Sequence, residues 1–280
     1  MKVYDFVFVG RGMGALVAAD ILGRRGYSVL ILEKNQQLGG SLQTFSRDKK
    51  LFDTGVHYIG SLDEGENLNQ IFKYLGIREE LKLSRLDNDA FDVIRFPSGK
   101  EFKLGQGYEQ FKGNLIEYFP NEAHAIDLFC RKIQEICEYF PLYNLELDSE
   151  KNYLNDPSIL ELGAYEYITS ITSNESLIGV LLGNGPLYAG ERDTTPLYVL
   201  ALILNSYISG SYRLFNGGSQ LTKVLVKNIR KHKGELLKRS KVVKAHYSGG
   251  EVVSMETENG NKYFGKNFIS NLHPRQTLEV

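Results

Sequence analysis

Small residues in the N-terminal segment VFVGRGMGALVAADIL have the spacing of a phosphate-binding turn. Gly10, Gly12 and Ala15 occupy the three positions of the pattern G-x-G-x-x-[GA], and Gly14 adds a further small residue. Glycine at the first position permits a tight turn, and glycine at the second has no Cβ to block a pyrophosphate. Amides at the start of the following helix offer unpaired N–H groups and the positive end of a helix dipole. The pattern therefore predicts a cradle for the pyrophosphate of a dinucleotide.

A strand, a helix and a second strand are predicted to position this turn. Residues 3–9 are β-branched and aromatic, residues 13–25 carry apolar side chains at helical spacing, and residues 28–32 form a short apolar run. That order predicts a parallel βαβ unit. Glu33 follows the second strand, where a carboxylate can hold ribose hydroxyls. Because a carboxylate repels a 2′-phosphate, we expect NAD or FAD here and not NADP.

A second pair of glycines, Gly39-Gly40, comes soon after this unit. Glycines allow another segment of backbone to approach a ligand closely. Two close approaches within one nucleotide-binding unit suit an extended dinucleotide. The second pair therefore favours FAD over NAD.

The rest of the chain is predicted to have a helical middle and a β-rich end. A hairpin with its turn at residues 97–99 is expected within FDVIRFPSGKEFKLGQG. Helices are expected near residues 67–75, 108–119, 122–140, 160–168 and 197–206, and a polar surface loop at 144–157. Period-two strands are expected at 241–247, 252–258, 262–264 and 267–270.

Several motifs spread along the chain resemble one family of flavoproteins. They are LGG at 38–40, TF at 44–45, FDTGVHYIG at 52–60, RLFNGGSQLTKVL at 213–225 and ISNLHPRQTL at 269–278. Together they resemble the carotenoid and retinoid branch of the FAD-dependent amine oxidase and desaturase superfamily. This branch contains the phytoene desaturases, the carotenoid isomerases and the all-trans-retinol 13,14-reductases, also called retinol saturases. FDTGVHYIG is the most specific of these motifs.

The resemblance implies an α/β fold and a division into two domains. Residues 1–85 and 207–280 would form a discontinuous FAD/NAD(P)-binding Rossmann-like domain, and residues 86–206 an inserted α+β substrate domain with an apolar tunnel. Members of the family continue with another glycine-rich strand and helix that close the flavin site, and this sequence stops before that segment. We therefore expect the FAD-binding domain to be incomplete at its C-terminus. An incomplete domain is expected to bind flavin less tightly when this chain is alone.

The resemblance also assigns cofactor contacts residue by residue. Those expected near the pyrophosphate are Gly10, Gly12, Met13, Gly14 and Ala15. Glu33 would hold the adenosine ribose, and the backbone of Val242 and Val243 would meet the adenine. Those expected along the path toward the flavin are Lys34, Gly39, Gly40 and Ser41. Those expected near the isoalloxazine are Gly55, Val56 and His57.

His57 is the candidate catalytic side chain, since its ordinary pKa lies near the working pH and it could donate a proton near the flavin. An orienting or packing role is the alternative. His273 is expected in a turn before a proline-governed segment. The remaining histidines have no metal-type spacing, so no metal is expected; they are His124, His232 and His246. No G-x-S-x-G nucleophile motif occurs, which argues against acyl transfer.

Composition bounds the partners and the cellular setting. With 33 Lys plus Arg against 34 Asp plus Glu in 280 residues, the formal net charge is −1, so nucleic acid is not expected as a partner. An apolar fraction of 42% excludes intrinsic disorder. No apolar run is long enough to span a membrane, and no signal peptide is recognised. The basic run at 227–244 could contact anionic lipids transiently or could be a solvated helix face.

Two cysteines, Cys130 and Cys137, fall seven residues apart in a predicted helix. Seven residues of helix rise about 10.5 Å, which exceeds the Cα separation of about 7 Å that a disulfide tolerates. We expect both thiols to be free on a buried helix face. A reducing compartment is therefore expected, and the predicted location is the cytoplasm, with peripheral contact to membranes as a further option.

The predicted function is that of an FAD-dependent oxidoreductase acting on CH–CH bonds of a polyene such as a carotenoid or retinoid. Saturation is the preferred direction because FDTGVHYIG resembles the retinol saturases most, and NAD(P) is a candidate electron donor or acceptor. One alternative is an amine-oxidase-like or sugar-mutase-like flavoprotein, which would have polar or charged walls in its middle domain. Another is a non-catalytic lipid carrier on the same fold, as in the Rab GDP-dissociation inhibitors, which has no need of a phosphate cradle. The oligomeric state is left open.

Overall fold

Residues 2–146 and 150–280 are described by the structure, a computed structural model. The strands are β1 (Val3–Val9), β2 (Val29–Leu32), β3 (Thr44–Arg47), β4 (Lys50–Asp53), β5 (Leu83–Arg85), β6 (Asp92–Arg95), β7 (Glu101–Leu104), β8 (Tyr212–Leu214), β9 (Glu235–Leu237), β10 (Val242–Ser248), β11 (Glu251–Thr257) and β12 (Lys262–Ser270). The helices are α1 (Met13–Arg24), α2 (Asn67–Tyr74), α3 (Tyr108–Tyr118), α4 (Ala123–Glu138), α5 (Pro141–Asn144), α6 (Ser158–Glu161), α7 (Ala164–Ile171), α8 (Glu175–Leu181), α9 (Leu197–Ile208), α10 (Ser219–Lys231) and α11 (Pro274–Leu278).

The predicted βαβ unit lies at the centre of a six-stranded sheet with the order β10-β11-β12-β1-β2-β9. Strand β1 is parallel to both β12 and β2, and β9 is parallel to β2. All four residues of β2 are buried, as expected of a parallel strand that is covered on both faces. Helix α1 buries Leu16 and Ala19. The sequence prediction of strand, glycine turn, helix and strand is therefore confirmed.

Strand β12 corrects the prediction of two separate strands at 262–264 and 267–270. It is continuous from Lys262 to Ser270 because Gly265 lets the chain pass close to β1. A Cβ on Gly265 would lie 2.7 Å from Val7 Cγ2. Around this glycine the strand changes partner, from antiparallel pairing with β11 to parallel pairing with β1. The strand therefore exchanges neighbours near Gly265, within the gap between the two predicted strands.

A hairpin formed by β3 and β4 was not predicted from the sequence. Asp48 and Lys49 form its turn, and both have a positive φ, of 51° and 62°. Hairpin turns of this kind are usually marked by Asn-Gly or Asp-Gly, which are absent here. Phe45 and Phe52 stack across the pair with ring centroids 5.4 Å apart. The strands form without the usual turn residues because cross-strand aromatic contacts also stabilise a hairpin.

The chain divides into two compact units. Unit 1 contains Met1–His57, Lys73–Leu83 and Leu214–Val280, and unit 2 contains Tyr58–Phe72 and Ser84–Arg213. This division places 58–72, 84–85 and 207–213 in the unit that contains the middle of the chain, and the domain boundaries at 85/86 and 206/207 stay a prediction. Which unit holds a cofactor and which a substrate stays a prediction.

Unit 2 has a helical core and the predicted hairpin, β6–β7, which is antiparallel. Its core is formed by helices α3, α4, α7, α8 and α9, and by aromatic residues such as Phe111 and Phe129. The predicted helix at 122–140 is α4. The predicted loop at 144–157 falls partly outside the described residues, at 147–149.

Helix α4 contains both cysteines, and the prediction for them is confirmed. Cys130 and Cys137 are buried and free. Burial raises the pKa of each thiol to about 12, because an apolar environment disfavours the thiolate. Both thiols are therefore unreactive packing groups at neutral pH.

No helix among residues 2–146 and 150–280 is long and apolar enough to cross a membrane. The most apolar helix, α9, has 12 residues, which is well short of the roughly 20 that a span needs.

Candidate functional site

Unit 1 builds its candidate site at the end of β1, where the fingerprint turn begins. Gly10 has φ +89°, and its N–H donates to the carbonyl of Leu32 over 2.9 Å. A Cβ at Gly10 would lie 3.1 Å from Leu272 Cδ2, so a side chain there would meet both backbone strain and a close neighbour. Gly12 is the N-cap of α1, which starts at Met13. The tight turn predicted at Gly10 is therefore present.

The second fingerprint glycine lies against the chain that follows β12. The Gly12 N–H donates to Asn271 Oδ1 over 2.9 Å, and a Cβ on Gly12 would lie 2.6 Å from that same oxygen. Asn271 is held there because its own N–H donates to the carbonyl of Val9 over 2.8 Å. A phosphate that uses the Gly12 amide must therefore displace the Asn271 side chain.

The Gly39-Gly40 pair lies next to the fingerprint. Both residues have a positive φ, of 106° and 56°. A Cβ on Gly40 would lie 3.3 Å from the Cα of Gly12, and a Cβ on Gly39 would overlap Thr222 Oγ1 of α10. The two glycine clusters thus meet at one edge of the sheet, and the lack of side chains is what lets their backbones approach.

A cavity of about 610 Å³ opens at this edge. The predicted cofactor residues that line it are Gly10, Gly12, Glu33, Lys34, Gly40, Ser41, Val242 and Val243. The predicted residues that do not line it are Met13, Gly14, Ala15, Gly39, Gly55, Val56 and His57. Lining residues that the sequence reasoning missed include Arg11, Asn35, Ser240, Asn271, His273 and Gln276. The contacts of all these residues with a cofactor stay predictions.

Glu33 is fixed at the cavity by its backbone. Its N–H donates to the carbonyl of Leu237 in β9 over 2.9 Å, and its carbonyl accepts from Ser240 N over 2.8 Å. The side chain is 9% exposed, and its Oε1 accepts from Asn35 N over 2.7 Å. This arrangement holds an acceptor group at the cavity wall, as a ribose contact requires.

Arg11 is the most unusual residue of the site. It is 2% exposed, and its Nε, Nη1 and Nη2 atoms have no hydrogen-bond partner within residues 2–146 and 150–280. Burial lowers the pKa of its guanidinium to about 10; the nearby charge of Arg230 also lowers it, while that of Glu33 raises it. The signal that could have identified it was a charged residue between two glycines of a phosphate-binding turn.

These features fit an anionic dinucleotide cofactor. The unpaired nitrogens of Arg11 lack an acceptor, and the Gly12 N–H donates to a side-chain oxygen of Asn271, which a phosphate oxygen can replace. Residues that could hold such a cofactor are Arg11 at the phosphates and Glu33 at a ribose. Among the residues that the structure describes, no group of three or more His, Cys, Asp or Glu could hold a metal ion.

Two motifs of the sequence resemblance meet at Asp53. Asp53 ends β4, within FDTGVHYIG, and its Oδ1 accepts from Gly218 N of the NGGS segment over 2.8 Å. The neighbouring Gly217 has φ +83°, and a Cβ on it would overlap Asp53 Oδ1. The conformation that binds Asp53 therefore needs glycine at position 217.

The histidine of FDTGVHYIG is exposed. Gly55, two residues before His57, packs closely on Ser41. A Cβ on Gly55 would lie 3.1 Å from Ser41 Cβ. A catalytic role for His57 stays a prediction. His273 is the N-cap of α11, where its Nδ1 accepts from Arg275 N over 3.3 Å.

The fold and the cavity are those of a Rossmann-like domain. The family described as NAD(P)-binding Rossmann-like domain matches residues 9–75. Two solved structures have the same fold at 13% identity. Putrescine oxidase matches all of this chain and 60% of its own chain, with a TM-score of 0.67. The Rab GDI of Plasmodium falciparum matches all of this chain and 67% of its own chain, with a TM-score of 0.57. The predicted α/β Rossmann-like fold is confirmed.

Curated relatives from the carotenoid and retinoid branch are similar to this chain. The all-trans-retinol 13,14-reductase of Macaca fascicularis is 28% identical over 85% of this chain and 41% of its own length. Prolycopene isomerase 2 of an Oncidium hybrid cultivar is 26% identical over 96% of this chain and 48% of its own. A Danio rerio relative, 27% identical over 83% of this chain and 41% of its own, carries the name inactive all-trans-retinol 13,14-reductase. The chain spans less than half the length of these relatives, and its resemblance to the FAD-dependent carotenoid and retinoid oxidoreductases is confirmed.

Replacement of Gly217 by alanine tests the contact between the two motifs. Gly217→Ala should lower the free energy of unfolding by about 3 kcal/mol, because it combines left-handed backbone strain with displacement of Asp53. Gly250→Ala is the matched control, since Gly250 has φ +85° but no atom within 4 Å of its Cβ position. The control should lose about 1 kcal/mol. Urea unfolding measures both, and equal losses would show that the Asp53 contact contributes nothing.

Proposed function

We propose that this chain binds FAD in unit 1 and serves an oxidoreductase that adds or removes hydrogen across a C=C bond of a polyene. The observation that carries the proposal is the 610 Å³ cavity, where two glycine clusters, Glu33 and an unpaired Arg11 meet. When bound, FAD supplies hydride transfer. The chain's own residues orient the cofactor: the Gly12 amide binds a phosphate once the Asn271 side chain is displaced, and Glu33 offers an acceptor to a ribose.

The rival functions share the fold, so the fold does not separate them. Putrescine oxidase and the Rab GDI are both similar to this chain at 13% identity. The phosphate cradle separates them better, because a lipid carrier has no use for a buried cation beside a glycine turn. The unpaired nitrogens of Arg11 therefore favour a dinucleotide-binding function over a carrier.

A cavity of unit 2 supports an apolar substrate. It has a volume of about 330 Å³, within the range of about 300–1,000 Å³ that is usual for small-molecule sites. Its walls are aromatic and aliphatic side chains: Phe140, Leu142, Tyr143, Tyr153, Leu160 and Tyr198. Phe140 stacks on both Tyr153 and Tyr198, with ring centroids 5.1 and 5.5 Å apart. Among the described residues no charged side chain lines this cavity, which suits a polyene better than an amine or a sugar nucleotide. The names of the curated relatives point to the same substrate class, and saturation is our preferred direction.

A cationic groove of unit 1 supports contact with an anionic membrane surface. Lys223, Lys227 and Arg230 of α10, together with Lys238, line a cavity of about 520 Å³, and no acidic residue lines it among the described residues. An apolar substrate gives such a protein a reason to visit membranes. The free thiols of Cys130 and Cys137 support a reducing setting, so our proposal is a cytoplasmic protein that contacts membranes peripherally.

Retention of FAD tests the cofactor proposal. The purified chain, mixed with FAD and passed through gel filtration, should keep absorbance bands near about 370 and 450 nm. Gly12→Ala should keep little flavin, because its Cβ pushes on Asn271 and occupies the cradle. Gly113→Ala is the matched control, since no atom lies within 4 Å of the Cβ position of Gly113. A folded wild-type chain that releases all of its flavin would contradict the proposal.

Binding of all-trans-retinol tests the substrate proposal, with retinol fluorescence as the signal. Leu160→Asp should weaken binding about ten-fold or more, because a carboxylate in an apolar cavity must be desolvated. Leu154→Asp is the control, since Leu154 is 73% exposed and does not line the cavity. If Leu160→Asp binds retinol as the wild type does, the site lies elsewhere.

Sedimentation with lipid vesicles tests the membrane proposal. Binding should rise when phosphatidylserine is added to phosphatidylcholine vesicles, and the double variant Lys223→Glu/Lys238→Glu should lose about ten-fold or more of that binding. Lys50→Glu/Lys100→Glu makes the same charge change at two exposed lysines outside the groove. Equal losses in the two double variants would show that net charge, and not the groove, causes the binding. Equal binding to vesicles with and without phosphatidylserine would contradict the membrane proposal.

A further inference from the structure

Arg11 occupies a position that is unusual for a charged residue. It lies between Gly10 and Gly12, in the turn that ends β1, and it lines the same cavity as Glu33. Only 2% of its surface is exposed. The long side chain is therefore packed inside unit 1 and not extended into solvent.

The guanidinium is buried without compensation. Its group has five N–H donors and no acceptor, and none of its three nitrogens has a hydrogen-bond partner among residues 2–146 and 150–280. Burial of an unpaired charge is strongly unfavourable. Because the pKa of Arg11 is lowered only to about 10, the side chain still carries its charge at neutral pH.

The neighbouring charges do not remove this deficit. Glu33 attracts the guanidinium, but it makes no hydrogen bond or ion pair with Arg11 within the described part of the chain, and its Oε1 accepts from Asn35 N. Arg230 repels the guanidinium. The site therefore lacks one anionic acceptor.

We propose that Arg11 is a phosphate-binding residue that pairs with the pyrophosphate of the dinucleotide. The planar guanidinium matches two phosphate oxygens, and charge-assisted hydrogen bonds of this type are stronger than those from backbone amides alone. Arg11 lines the cavity together with the two glycines that flank it. The inference rests on the proposed dinucleotide function, and it adds a side-chain ligand to a cradle otherwise made of backbone.

In this role the charge of Arg11 lowers the stability of the ligand-free fold and strengthens the binding of a phosphate. The folded pKa of Arg11 lies below its ordinary value of 12.5, so the charged form destabilises the ligand-free fold at every pH below about 10. Binding of a phosphate removes that penalty. Replacement of Arg11 by an uncharged residue of similar length should therefore stabilise the free protein and weaken phosphate binding.

Two measurements on the full chain test the proposal: the melting temperature without ligand, and the affinities for ADP and adenosine by calorimetry. In Arg11→Met, the melting temperature should rise and ADP affinity should fall about ten-fold or more, while adenosine affinity should stay within about two-fold of the wild type. Arg11→Lys should keep part of the preference for ADP, because it retains the charge but loses the fork. Arg25→Met is the matched control, since it removes the charge of an exposed arginine that does not line the cavity; it should leave the ratio of ADP to adenosine affinity unchanged.

The outcomes separate this proposal from the proposed function. If Arg11→Met keeps the wild-type preference for ADP over adenosine, backbone amides alone bind the phosphate, and only the role of Arg11 is overturned. If the wild type binds neither ADP nor adenosine, the dinucleotide function fails as well. If Arg11→Met lowers the melting temperature or does not fold, the guanidinium has a structural partner, and the proposal is wrong.

A thermodynamic cycle with Glu33 provides an independent check. Glu33→Gln should lower the melting temperature in the wild type, because it removes the negative charge that attracts the buried guanidinium. In Arg11→Met the same substitution should have little effect on the melting temperature. Equal effects in the two backgrounds would mean that the two charges do not interact.

Discussion

Close approach of three backbone segments at one edge of the sheet is the constraint on which the rest of unit 1 depends. The turn at Gly12, the loop at Gly40 and the segment after β12 meet there, and a Cβ on Gly12 or Gly40 would lie 2.6 or 3.3 Å from its neighbour. This edge is the carboxyl end of parallel strands, where α/β sheets bind ligands. Glycine is needed at these positions because a Cβ on Gly12 would collide with the Asn271 side chain and a Cβ on Gly40 would press on the Gly12 backbone.

The same edge concentrates polar groups, one of which is a buried charge without a hydrogen-bond partner among the described residues. Asn271 occupies the Gly12 amide, Glu33 is held at the cavity wall by β9, and Arg11 is buried without a partner. A buried charge without a partner destabilises a fold unless something else compensates it. The position of Arg11 beside a glycine turn therefore relates stability to ligand binding: the buried charge that weakens the free fold is the one that favours an anionic ligand.

Local sequence patterns predicted much of unit 1, and their failures have physical causes. The βαβ unit was predicted because apolar periodicity and glycine spacing are local properties of the chain. Strand β12 was predicted as two strands, and the structure makes it one because Gly265, which would weaken an isolated strand, lies in close contact with β1. The β3–β4 hairpin was missed because Asp48 and Lys49 adopt positive φ without the usual glycine. The first error concerns a contact with a strand that is distant in sequence, and the second concerns an uncommon backbone conformation.

The sequence by itself determined the Rossmann-like fold class, the position of the phosphate turn, the free cysteines and the resemblance to carotenoid and retinoid oxidoreductases. Only the tertiary structure decided that Arg11 is buried and unpaired, that Asp53 binds the Gly217-Gly218 segment, and which predicted residues share one cavity. The reason is that periodicity and turn sterics act between near neighbours, whereas burial and pairing depend on partners far along the chain. Asn271 contacts Gly12 across 259 positions, and no pattern around either residue specifies that contact.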